Sequence, residues 1–181
     1  QRRTALSRNG VEVYTVEHLM AALWALAVTN IVVEINSDEL PGMDGSAIDY
    51  FNALKKAGTE EQPAASREII ITKPVWCESA SAFIGIFPSG TFKVSYVLDV
   101  PHPAIGKQFF SSEVDAASFE KDIAGARTFC LKEEALALQK MGFGRGANTR
   151  NTLVMDTGGP LENALRWPDE PVRHKVLDLV G

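Results

Sequence analysis

A few side chains in this 181-residue chain have the type and the spacing to act on a bond. Glu17 and His18 stand side by side, and His174 and Asp178 lie four residues apart with Lys175 between them. Residues at i and i+4 share one helix face, so an imidazole nitrogen and a carboxylate oxygen can converge there on one cation. The same spacing also serves an ordinary helix-face contact. If the helices carrying His18 and His174 face each other, His18, His174 and Asp178 make a two-histidine, one-carboxylate set. Catalytic zinc takes three such protein ligands and keeps a position for water; Fe(II) is the second metal this set suits. Glu17, next to a ligand, can reach an activated water as the general base of metal-assisted hydrolysis. Taken alone, it is equally a first-turn acid favoured by the helix dipole. Lys175 is placed to hold an anionic group or polarise a carbonyl, and is otherwise a solvated lysine. Thr128 can donate to an oxyanion or cap the helix that follows. His102, in His-Pro-Ala-Ile, reads as a residue that fixes its loop.

These residues need elements to hold them. Thr4 to Leu6 and Val11 to Tyr14 flank Asn9-Gly10, a strong hairpin signal. A helix from Val16 to about Ala27 follows, with Thr15 as its expected N-cap and Leu19, Met20, Leu23 and Leu26 as its expected buried stripe. The β-branched run Ile31 to Ile35 predicts a strand. After a loop dense in turn residues, a second helix runs from about Ala47 to Ala57 and ends at Gly58. Strands are expected over Glu68 to Cys77, Ala82 to Phe87 and Phe92 to Asp99, with a return at Gln108 to Ser111. Helices are expected over Asp115 to Ile123, Lys132 to Met141 and Glu170 to Val180, and a strand over Asn151 to Asp156. The glycine-rich stretch Gly142 to Gly146 lacks the spacing of a phosphate-binding loop. Because residues 59–66 are polar and aperiodic, the chain divides into a first α+β domain over 1–60, a linker at 61–67 and a second α+β domain over 68–181.

Composition narrows the function classes. Hydrophobic residues make up 45% and the formal net charge is -5, which fits a globular chain and argues against nucleic acid as a partner. The two cysteines, Cys77 and Cys130, form no CxxC and fit a reducing compartment. No apolar run approaches the roughly 18 residues of a membrane span. The chain begins at Gln1 and stops at Gly181 directly after an apolar run, so the expectation is a piece of a longer protein.

Four stretches occur in order: Thr15-Val16-Glu17-His18-Leu19-Met20-Ala21-Ala22-Leu23, Pro41-Gly42-Met43-Asp44-Gly45-Ser46-Ala47, Ala126-Arg127-Thr128-Phe129, and Val172 through Gly181. Together, and over nearly the whole chain, they resemble the UDP-3-O-acyl-N-acetylglucosamine deacetylase family (LpxC) of lipid A biosynthesis. The resemblance implies two similar two-layer α/β sandwich domains with the active site between their helices. It implies zinc-dependent removal of the N-acetyl group from a UDP-linked acylated glucosamine, with release of acetate, in the cytoplasm of a Gram-negative-type bacterium. Peripheral contact with enzymes of the membrane-lipid pathway belongs to the same expectation. By position, His18, His174 and Asp178 match the metal ligands, Glu17 the general base, Thr128 the oxyanion donor and Lys175 a substrate-contacting lysine near the reacting centre. Phe129 and the segment from Leu131 to Gly146 match the acyl-chain passage. Met43 and Asp44 match a structural loop, and Gly42 departs from an apolar family position. The family's further strands on either side, and a C-terminal histidine that protonates the leaving amine, have no counterpart in these residues. The expectation is therefore impaired catalysis by this piece, with a catalytically silent metal- and ligand-binding role as the alternative.

Overall fold

Asn9 and Gly10 both take positive φ, 53° and 80°, and close the hairpin of β1 (Ala5–Arg8) and β2 (Val11–Tyr14). Two left-handed residues match the twist of the flanking strands, which is why Asn-Gly serves here. These elements belong to a computed structural model that describes residues 3–142 and 146–181. Phe143, Gly144 and Arg145 of the glycine-rich stretch lie outside the described residues.

Helix α1 (Glu17–Ala25) begins one residue later than the sequence suggests, and Thr15 is not its cap. Val16 holds the N-cap position without a side-chain bond. Thr15 sits at φ 58° and its hydroxyl donates to Glu39 Oε1 at 2.6 Å. The buried face also differs from the expected stripe. Leu19 and Leu23 pack with Val16 and Leu40, while Ala21, Ala22 and Ala25 enter the main core. Met20 and Trp24 fall on the outward line between these two faces, and Met20 is 41% exposed.

Helix α2 (Ile48–Ala57) has the expected extent and ends at Gly58, φ 77°. The long antiparallel pair β5 (Lys93–Val100) and β6 (Gly106–Glu113) turns at His102. There the His102 carbonyl accepts from Ile105 N–H at 3.0 Å and Gly106 N–H at 2.8 Å. Helix α3 (Ala116–Asp122) is capped by Asp115, whose carboxylate accepts from Ser118 N–H at 2.8 Å. Strand β7 (Phe129–Leu131) lies parallel to β8 (Leu153–Asp156), which pairs with β9 (Gly159–Pro160), and α4 (Lys132–Lys140) follows β7. The chain ends in α5 (Glu170–Val180), with Pro171 in its first turn, where no N–H is required. The architecture is α+β.

Two expected strands differ. Residues Ile31 to Ile35 have no regular structure, and Val32 is 87% exposed. Of Glu68 to Cys77 only the end is a strand: β3 (Val75–Glu78) pairs with β4 (Phe83–Ile86), while Ile69 and Ile70 are exposed. β-Branched side chains favour extended backbone, but a strand also needs a neighbouring ladder for its N–H and C=O groups. No strand among the described residues lies alongside these runs.

The main core draws on residues before and after the exposed, irregular stretch 61–67. Ala21, Ala22 and Phe51 meet Phe119, Ile123, Val172, Val176 and Leu177, all buried. Burying a side chain of the larger kinds stabilises by about 1.5–3 kcal/mol. The small face of α1 lets α5 come close. A Cβ built on Gly181 would stand 1.9 Å from the Glu17 carbonyl oxygen.

Candidate functional site

Helix α1 carries Glu17 and His18 in its first turn, and α5 carries His174, Lys175 and Asp178 in its last two turns. The packing of α1 on α5 brings His18, His174 and Asp178 together, with one ligand atom from each inside 4.8 Å of the others. Asp178 Oδ1 is 3.3 Å from His174 Nε2 and 3.6 Å from His18 Nε2. The two imidazole rings meet edge to face, centroids 5.1 Å apart. His18 and His174 are buried.

Asp178 Oδ1 is buried and accepts no hydrogen bond. Leaving such an oxygen without a partner costs free energy, so a cation among these three groups satisfies what the protein leaves open. The spacing agrees, because two ligands each about 2.0–2.1 Å from a tetrahedral centre stand about 3.3 Å apart. The tautomer agrees as well. His174 Nδ1 lies 2.9 Å from the Ala126 carbonyl oxygen. A carbonyl only accepts, so Nδ1 carries the proton and Nε2 keeps its lone pair toward Asp178. The donor set thus fits a divalent cation such as zinc.

Charge at the site is arranged to the same end. Burial pushes the His174 imidazole down to about 4, against the pull of Asp178, so it is neutral at physiological pH. Burial alone would raise the Asp178 carboxyl. The His174 and His18 imidazoles and the Lys175 ammonium outweigh it and hold that carboxyl well below the usual range. Lys175 Nζ donates to Asp178 Oδ2 at 2.6 Å and lies 5.5 Å above the Phe129 ring.

A cleft of about 340 Å³ opens beside this cluster, lined by Arg3, Thr4, Glu17, Lys175 and Asp178. Glu17 is buried at its wall, and its Oε2 accepts from Thr4 N–H at 3.2 Å. Thr128 and Leu131 stand outside that wall. Thr128 is half-buried and precedes β7 rather than capping a helix. Its N–H donates to Gly45 O at 2.7 Å, and its carbonyl accepts from Leu153 N–H at 2.8 Å. Phe129 reaches the cluster, its ring centroid 6.5 Å from that of His174. Leu131 is the last residue of β7 and joins a smaller core with Ile105, Leu153 and Met155. Past it, α4 exposes Leu136 and Leu138.

Several residues that shape the site escaped the sequence reading. Arg3 and Thr4 line the cleft, and nothing in their local pattern marks them. Arg3 Nη1 donates to Glu39 Oε1 at 2.8 Å, and its guanidinium lies 3.9 Å over the Tyr14 ring. Gly45, at φ 88°, passes so near the second half that a Cβ would stand 1.8 Å from Asn151 O. Asp44, which the resemblance placed in a structural loop, did not escape that reading and anchors the same loop: Oδ1 accepts from Ser46 N–H at 2.9 Å and Oδ2 from Arg166 Nη2 at 2.8 Å. Glu170 is fully buried against Arg127. Its i, i+4 relation to His174 was a readable signal.

Comparison with known proteins bears on this arrangement. A family model described as LpxC, UDP-3-O-acyl N-acetylglycosamine deacetylase, matches residues 1–181. A curated UDP-3-O-acyl-N-acetylglucosamine deacetylase from Synechocystis sp. is 41% identical over 180 residues, which is 98% of this chain and 65% of that protein. A second of the same name, from Thermodesulfovibrio yellowstonii, is 42% identical over 178 residues, 98% of this chain and 61% of that protein. The chain thus spans somewhat under two thirds of the length of these relatives.

Proposed function

This chain belongs to the UDP-3-O-acyl N-acetylglycosamine deacetylase family, and we propose that its site hydrolyses the N-acetyl group of a UDP-linked, 3-O-acylated glucosamine, releasing acetate. The observation that carries this reading is the unpartnered Asp178 Oδ1 between two buried imidazoles, with Glu17 at the wall of the adjoining cleft.

In this reading His18, His174 and Asp178 hold a zinc ion. Bound there, the metal supplies Lewis-acid polarisation of the carbonyl and acidifies a water. Glu17 would accept a proton from the attacking water as the water oxygen bonds to the acetyl carbon. The Thr128 hydroxyl donates to the oxygen that becomes negative, and as the carbon–nitrogen bond breaks the proton that Glu17 took from the water passes to the leaving nitrogen, giving acetate and the amine. Lys175, half-engaged with Asp178, balances charge and meets the polar part of the substrate. Phe129 and Leu131 begin an apolar path for the acyl chain, continued by α4. The division into two similar sandwich domains, 1–60 and 68–181 about a linker at 61–67, with the site between their helices, belongs to the same proposal. So does a place in lipid A biosynthesis in the bacterial cytoplasm. Among the described residues no helix is long and apolar enough to cross a membrane.

The deciding experiment is acetate release from the UDP-linked substrate by this chain, with zinc content measured on the same sample. Zinc uptake with acetate release supports the reading. Zinc uptake without release leaves a silent metal- and ligand-binding role, and no zinc uptake overturns it.

A further inference from the structure

Glu170 is the most completely enclosed charge among the described residues, at 0% exposure, and its carboxylate accepts from Arg127 three times and from the Arg166 N–H once. Oε1 accepts from Arg127 Nε at 2.8 Å and from Arg127 N–H at 3.0 Å. Oε2 accepts from Arg127 Nη2 at 3.1 Å and from Arg166 N–H at 2.6 Å. Arg127 Nη2 also donates to Ala164 O at 2.7 Å. A buried ion pair is weak evidence of stabilisation, because desolvation offsets most of its attraction. Its value lies in the geometry that it enforces.

That geometry concerns a single peptide bond. The N–H of Arg127 and the C=O of Ala126 are the two polar ends of the 126–127 peptide. The N–H is taken by Glu170, and the C=O takes Nδ1–H of His174 at 2.9 Å. Glu170 and His174 are one turn apart on the same face of α5. Two successive turns of the helix therefore clamp the two ends of one peptide unit. A carboxylate on the N–H also polarises the peptide and strengthens its carbonyl as an acceptor.

We propose that Arg127 and Glu170 are positioning residues for the candidate metal site, holding the 126–127 peptide so that its carbonyl fixes the His174 tautomer with Nε2 toward Asp178. The proposal rests on the reading of His174 as a ligand. The clamp also sets the start of β7, where Thr128 and Phe129 follow directly.

Two measurements on the whole chain test it. Nitrogen-15 NMR of labelled histidine in the metal-free wild type reads the ring directly. The Nδ1–H tautomer at His174 is expected, and an Nε2–H tautomer overturns the clamp without any variant. Cobalt(II) and zinc titrations then compare the wild type with Arg127→Met/Glu170→Met, which removes both charges and the acceptor, and Arg127→Met/Glu170→Gln, which keeps an acceptor for the N–H. The Met/Met variant is expected to bind about tenfold or more weakly, with a changed cobalt visible spectrum and a mixture of His174 tautomers. The Met/Gln variant is expected to recover most of that loss. A pair that serves stability alone would lower the melting temperature and leave metal affinity, spectrum and ring-nitrogen shifts as in the wild type, which overturns the proposal. A wild-type chain that takes up no metal overturns the ligand reading instead, and the tautomer still decides the clamp.

Discussion

Nε2 of His174 and Oδ1 of Asp178 lie 3.3 Å apart on one face of α5, and that Oδ1, though buried, accepts no hydrogen bond. The pair is organised for a third partner. Lys175 occupies the other oxygen of Asp178, Ala126 the other nitrogen of His174, and His18 closes the set from α1.

Removing a ligand should abolish stoichiometric metal. His174→Ala and Asp178→Ala are each expected to reduce zinc content by elemental analysis to background. In the wild type, added zinc should raise the melting temperature, since a ligand at 100 times its Kd stabilises by about 2.7 kcal/mol. Chelation should reverse the rise, and the two variants should show none.

Glu17→Gln separates binding from chemistry. The amide keeps an oxygen to accept from Thr4 N–H, so the fold and the metal content should match the wild type. Loss of a general base should lower the rate of acetate release about 10²- to 10⁴-fold. Undiminished acetate release would remove Glu17 from that role.

The pH dependence follows from burial of His174. An ordinary imidazole competes for protons below about pH 6.5, and metal ligation needs it neutral. With His174 held down to about 4, its competition with metal should begin only as pH approaches that value, rather than at 6.5. In the metal-free protein the unfolded chain binds the proton that the folded chain refuses. Stability should therefore fall as pH drops from about 6.5 through 4, by on the order of 3 kcal/mol at pH 4 from this group. Asp178, depressed in the folded state, adds a further loss below its ordinary value. Urea unfolding from pH 7 to 4 measures the slope, and His174→Gln should flatten it.

Gly45 tests the docking of the loop before α2, with Gly42 in the same loop and Gly10 in the first hairpin as controls. Gly45→Ala forces a Cβ to 1.8 Å from Asn151 O at φ 88°, and should cost about 2–4 kcal/mol. Gly10→Ala meets open space at φ 80° and should cost about 1 kcal/mol. Gly42→Ala meets open space without a positive φ and should be neutral or stabilising by a few tenths. Melting temperatures in that order check the reading that Gly45 ties the two halves together beside Thr128.

What could be read from the chain itself was whatever depends on neighbours in sequence. The Asn9-Gly10 turn, the extent of α2 to Gly58, the capped α3 and the shared face of His174 and Asp178 follow from local backbone preference and helical period. What needed tertiary structure was whatever depends on a partner distant in sequence. Residues Ile31 to Ile35 have the side chains of a strand but no ladder beside them, and Thr15 gave its hydroxyl to Glu39 rather than to the helix. The clamp on the 126–127 peptide and the approach of Gly45 to Asn151 have no local signature. His18 joins His174 and Asp178 because Ala21, Ala22 and Gly181 carry too little bulk to hold α1 and α5 apart. Helical spacing places two of the three groups on one face. Only the close packing of two helices, set by small side chains at their contact, delivers the third.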